Sequence, residues 1–127
     1  MRLLRKRLVS KSEIARYLNK KLALLGDSII NCVVSSALSL FYEQPYGVKV
    51  KDESLRKAWI EIFGRDNFGT DLAYEDLAEA LIAYLWLVNV FSIEDYIKII
   101  SHSKVQKLDE YTTLIVLFKE IKKIIKD

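Results

Sequence analysis

The sequence predicts an all-α fold, about six helices packed around two buried central ones in a single domain over residues 1–127. Apolar residues recur at helical spacing through most of the chain. Turn signals cluster at a few points, above all Gln44-Pro45-Tyr46-Gly47 and Gly64-Arg65-Asp66-Asn67-Phe68-Gly69. The most apolar run, residues 22–42, shows no period-2 alternation, which excludes a half-buried strand.

The elements follow in order. Ser12-Glu13 starts a short basic helix over about 12–20, with Ile14, Leu18 and Leu22 four residues apart. Leu3, Leu4 and Leu8 allow an amphipathic turn or two before it. From about Leu22 to Tyr42 apolar residues point in nearly every direction, including Leu25, Ile29, Ile30, Val33, Val34, Leu38, Leu40 and Phe41. Such a helix is expected to be buried on most sides, with Ser35, Ser36 and Ala37 letting a neighbour approach. Pro45 and Gly47 end it. Asp52 or Ser54 caps a third helix to about Phe63, with Leu55, Trp59 and Ile62 inward. Thr70 or Asp71 caps a fourth to about Val90, Ser92 starts a shorter one to about Ser101, and Asp109 starts the last, its stripe running to Ile125.

Composition narrows the class. Hydrophobic residues make up 51% of the chain and the mean hydropathy is +0.10, a balance that favours an oligomer. The lone Cys32 rules out an internal disulfide and, among Ile29, Ile30, Val33 and Val34, reads as an inert buried thiol of a cytoplasmic protein. No membrane span is expected, because the uncharged run 28–42 falls short of the roughly 20 residues a bilayer requires. The basic start followed by a short apolar pair is not a signal peptide. Net charge is only +3, but residues 1–21 set Arg2, Arg5, Lys6, Arg7, Lys11, Arg16, Lys20 and Lys21 against one acid, Glu13. That block attracts a polyanion or is simply a solvated arm, over about residues 1–11, and helix face. His102, the sole histidine, belongs to a helix end or the surface, and no Gly-rich phosphate loop, Cys/His cluster or Ser/His/Asp set occurs.

Three acids stand out. Asp27 opens the first apolar helix, and Asp76 and Glu79 lie three apart on the second, hence on one face. A carboxylate in apolar surroundings needs a partner, a hydrogen bond or a metal. If the two helices pack together, the three converge as an oxygen-rich set suited to Mg²⁺ or Mn²⁺ and to phosphodiester hydrolysis. The plainer account places Asp76 and Glu79 against the helix dipole and makes Asp27 a local cap.

Leu22-Ala23-Leu24-Leu25-Gly26-Asp27-Ser28 resembles the signature of the ribonuclease III family, Glu-Arg-Leu-Glu-Phe-Leu-Gly-Asp-Ser/Ala, and Asp76-Leu77-Ala78-Glu79-Ala80-Leu81-Ile82-Ala83 resembles its second motif. Within that superfamily the short archaeal branch is the most similar. The resemblance implies the helical endonuclease domain and a homodimer whose valley takes double-stranded or structured RNA. It further implies a Mg²⁺- or Mn²⁺-dependent site in which Asp76 and Glu79 are ligands and Asp27 is a ligand or orients water. With no stretch left for a separate RNA-binding domain, Arg2, Arg5, Lys6, Arg7, Lys20 and Lys21 are the expected RNA contacts. The sequence departs from the pattern at Ala23, where the family has its signature glutamate, and at Lys20, where it has another acid; Glu75 or Glu53 is a conceivable substitute. Besides an endoribonuclease, the chain therefore reads as a catalytically silent, RNA-binding or ribosome-associated dimer, or as a helical scaffold without a nucleic-acid role.

Overall fold

A computed structural model describes residues 7–127. Six helices form the bundle: α1 (Lys11–Ala15), α2 (Lys20–Tyr42), α3 (Asp52–Phe63), α4 (Tyr74–Leu87), α5 (Ile93–Ser101) and α6 (Glu110–Lys122). The expected all-α architecture holds, with α2 and α4 as the closely packed central pair. α3 lies against α4 and α6, and α5 against α2 and α6. One small addition is a parallel pairing of β1 (Val9–Ser10) with β2 (Ile125–Lys126). Ile125 therefore leaves the helical stripe predicted for it and ties the C-terminus to the fully buried Val9.

Several helix starts differ from the predicted ones, one of them through a tertiary contact. Ser10, not Ser12, caps α1, which stops at Ala15. Asn19 caps α2 and Glu43 closes it in the left-handed region at φ 55°. α3 has no cap of its own, because Glu110 of α6 accepts from the Lys51 amide at 3.1 Å and the Ser54 hydroxyl at 2.5 Å. That leaves Asp52 free to face elsewhere. α4 begins at Tyr74, beyond the predicted Thr70 or Asp71, since Thr70 is used inside the loop, on the Asn67 carbonyl. Ser92 and Asp95 form a reciprocal capping box on α5, and Asp109 caps α6 as expected. His102 ends α5 and is exposed, as the sequence suggested.

α4 is the most enclosed element: every residue from Leu77 to Leu85 is buried, Glu79 included. α2 differs from its prediction. Ile29, Ile30, Val33, Val34, Ala37 and Leu38 face the core, but Leu24, Leu25 and Leu40 are exposed, and so is Cys32, which is not the buried thiol expected. At 23 residues α2 also has the length and hydropathy of a bilayer span, more than its uncharged run indicated; here its buried side packs on α4 and α5. Its small residues serve an unforeseen purpose. Asn31, Ser35 and Ser39, four residues apart on one face, hold the backbone of the segment that follows: Val50 N–H to Asn31 Oδ1 at 2.7 Å, Val48 N–H to Ser35 Oγ at 2.9 Å and Tyr46 N–H to Ser39 Oγ at 2.8 Å.

At Gly26 the bundle leaves no room for a side chain. A methyl group placed there would lie 1.8 Å from the Glu79 carbonyl oxygen, so the two central helices touch backbone to side-chain-less backbone. Gly26→Ala forces them apart where nothing flexible can yield. It is expected to cost roughly 3 kcal/mol or more, read as a lowered midpoint of urea unfolding. Gly47→Ala, which meets nothing within 4 Å, serves as the control and should stay within about 0.5 kcal/mol of the parent.

Candidate functional site

Because Gly26 brings α2 onto α4 beside Glu79, the next residue of α2, Asp27, is carried to the same place. An open cleft of about 610 Å³ lies there. Its walls are Lys20, Ala23, Leu24 and Asp27 of α2, Lys49, Val50 and Lys51 from the α2–α3 connection, Asp52 at the start of α3, and Asp76 and Glu79 of α4. Asp27, Asp76 and Glu79, singled out by their place in apolar helices, thus share one cavity. Asp52, Lys49 and Lys51 were not foreseen as site residues. Their only signal was the alternation Lys49-Val50-Lys51-Asp52, whose one apolar member is buried at 2% exposure and turns the polar ones outward. The Asn31 amide binds this segment at Val50 and also donates to Asp27 Oδ1 at 3.3 Å, fixing the cleft's two sides relative to each other.

The electrostatics are unusual. Four carboxyl groups face three ammonium groups across the cleft. Lys20 Nζ lies 3.4 Å from Asp76 Oδ2, and Lys49 Nζ lies 3.6 Å from Asp27 Oδ2. Glu79 has no such partner. Burial, then the hydrogen bond and charge of Asp27, then the charges of Asp52 and Asp76, push its carboxyl up to about 8. At neutral pH it is mostly protonated and donates to Asp27, which leaves three carboxylates opposite three lysines. Both lysines of the ion pairs are 80% exposed, so these pairs hold their geometry weakly and can open to a competing ion.

Whether these residues suit a metal ion has two sides. The donors are all oxygen, which fits a hard divalent cation such as Mg²⁺ or Mn²⁺, and a carboxyl held neutral by burial and by its acidic neighbours is one that an added positive charge would help to ionise. As they stand, however, no group of three or more acids, histidines or cysteines among the described residues is arranged to hold a metal ion. Asp76 leans to Lys20 and Asp27 to Lys49, and Ala23, one turn before Asp27 and lining the same cleft, offers only a methyl group. The suggested substitutes do not repair this. Glu75 is held by Arg56 through two hydrogen bonds of 3.1 and 2.9 Å, and Glu53 pairs with Lys57 on the surface.

The expected RNA contacts divide. Lys20 lines the cleft and Lys21 is exposed beside it. Arg7 lies elsewhere, 3.7 Å from Glu13 and with Nη2 3.5 Å from the Val88 carbonyl. Arg2, Arg5 and Lys6 lie outside the described residues, as does most of the arm expected over 1–11.

A family model described as Ribonuclease III matches residues 20–124. No curated protein matches the chain.

The buried acid has a consequence for stability. A carboxyl whose folded pKa is raised binds its proton more tightly in the native state. Stability is therefore highest below the ordinary value of 4.5 and is lost progressively as pH rises to about 8. In metal-free buffer Glu79→Gln should flatten that decline. Above pH 8 the variant should be the more stable protein, by on the order of a few kcal/mol, as seen in denaturant midpoints measured across the pH range.

Proposed function

The chain belongs to the ribonuclease III family, and from the cleft that the family-matched region encloses we propose that it is a metal-dependent endoribonuclease acting on double-stranded or structured RNA in the cytoplasm. The observation that supports this best is the meeting of Asp27, Asp76 and Glu79, from two helices, in one open cleft with lysines on its walls. Asp27, Asp76 and Glu79 would hold Mg²⁺ or Mn²⁺, with Asp52 as a further oxygen donor on the wall. The ion supplies a Lewis acid that stabilises charge developing on a phosphodiester. The protein's own groups do the rest. Lys20 and Lys49 can leave Asp76 and Asp27 for backbone phosphates, with Lys51 beside them, which sets the register of the RNA over the acids. Glu79 releases its proton when positive charge enters the cleft, turning a hydrogen-bond donor into an acceptor.

The dimer belongs to the same reading. Leu25, Cys32 and Leu40, the last at 61% exposure, form an apolar strip along the outer side of α2 that the described residues leave uncovered. A second copy docking strip to strip would cover it and set two clefts side by side.

One observation favours a second reading, a catalytically silent RNA-binding dimer. Ala23 stands where a signature glutamate is expected, and Lys20 and Lys49 already neutralise two of the acids. Salt-sensitive RNA binding that is indifferent to metal would support it.

Purified protein with Mg²⁺ or Mn²⁺ should cut long double-stranded RNA, and Asp76→Asn should slow cutting by about a hundredfold or more while leaving the circular dichroism spectrum unchanged. Intact RNA, or an Asp76→Asn variant as active as the parent, counts against the nuclease. Leu25→Lys combined with Leu40→Lys should turn the dimer into a monomer in sedimentation velocity; a parent that already sediments as a monomer rules out the strip-to-strip assembly.

A further inference from the structure

Tyr17 lies in the connection between α1 and α2 and is 55% exposed, although it is a large aromatic ring. It is not a loose side chain. Its ring stacks on that of Tyr84 of α4, with centroids 5.7 Å apart and planes inclined by 16°. Tyr84 is itself buried and fixed, its hydroxyl lying 3.3 Å from Glu13 Oε2, on a carboxylate that Arg7 approaches at 3.7 Å. One face of Tyr17 is therefore backed by a rigid ring while much of its surface is left to solvent. A flat, pre-oriented aromatic surface of this kind is what a nucleobase stacks on, with little side-chain entropy left to lose.

Its place in the chain gives the platform a use. Tyr17 precedes Lys20 by three residues, and Lys20 lines the cleft and pairs with Asp76. Three residues span at most roughly 11 Å, about the reach of one or two nucleotides. Arg16 and Lys21, both exposed, flank the connection. A paired base inside an A-form helix keeps its faces covered by its neighbours, so only an unpaired base can use such a surface.

We propose that Tyr17, backed by Tyr84, is a stacking platform for an unpaired nucleobase next to the scissile region, so that a duplex interrupted by a bulge or loop is preferred over a perfect one. The inference rests on the RNA reading given above and adds a preference which that reading does not contain.

The test compares a perfect RNA hairpin with the same hairpin carrying a one-nucleotide bulge, the bulged base being 2-aminopurine. Fluorescence anisotropy should show the parent protein binding the bulged hairpin roughly tenfold more tightly, with quenching of the 2-aminopurine emission as it stacks. Tyr17→Ala should remove both the preference and the quenching while binding the perfect hairpin as the parent does; Tyr17→Phe should keep both. Equal binding of the two hairpins, or a preference that survives Tyr17→Ala, overturns the platform and leaves the RNA reading standing. Binding of neither hairpin overturns the RNA reading and the platform with it.

Discussion

Everything near the cleft depends on one steric fact, the absence of a side chain at Gly26. The Glu79 carbonyl occupies the space a β-carbon would need, so α2 and α4 approach as closely as two backbones can. The approach has a chemical result as well as a packing one. It buries Glu79 and sets it within hydrogen-bonding distance of Asp27, and burial first, then the hydrogen bond and charge of Asp27, keep a proton on Glu79. A wider crossing would let water between the helices and relieve the burial that raises Glu79.

α2 carries three surfaces with different tasks. Its inner side is core. A polar row, Asn31, Ser35 and Ser39, binds the backbone of the α2–α3 connection and so brings Lys49, Lys51 and Asp52 to the cleft. The outer strip of Leu25, Cys32 and Leu40 is left bare by the described residues. A hydrophobic count merges these surfaces into one greasy helix, which is why residues 22–42 read as buried on most sides. The polar atoms of Asn31, Ser35 and Ser39 are few, yet they satisfy amides that would otherwise be unpaired against an apolar helix.

The elements were legible wherever a local rule was strong. Ser92 and Asp109 cap the helices they were expected to cap, because a side-chain oxygen and an amide two or three residues on need nothing from the rest of the chain. Ser54, Thr70 and Asp71 misled for the opposite reason. The first is recruited by Glu110 from another helix and Thr70 by its own loop, so each helix starts where tertiary contacts allow. Ile125 fits a helical stripe by spacing, but pairing with Val9 offers its backbone partners that a frayed helix end lacks.

The candidate site divides in the same way. Asp27, Asp76 and Glu79 could be picked out from the chain alone, since a charge in an apolar helix is costly wherever that helix goes. Ala23 showed as a missing acid only through the resemblance to the ribonuclease III signature, and helical spacing then put it on the face of Asp27. What the sequence could not determine is company. That Asp52 joins the acids, that Lys20 and Lys49 lie against Asp76 and Asp27, that Tyr17 stacks on Tyr84, and that Glu79 keeps its proton all follow from which elements touch. Spacing along one helix is set by covalent geometry and can be read residue by residue. Distances between helices are set by packing, and here by the single missing β-carbon at Gly26.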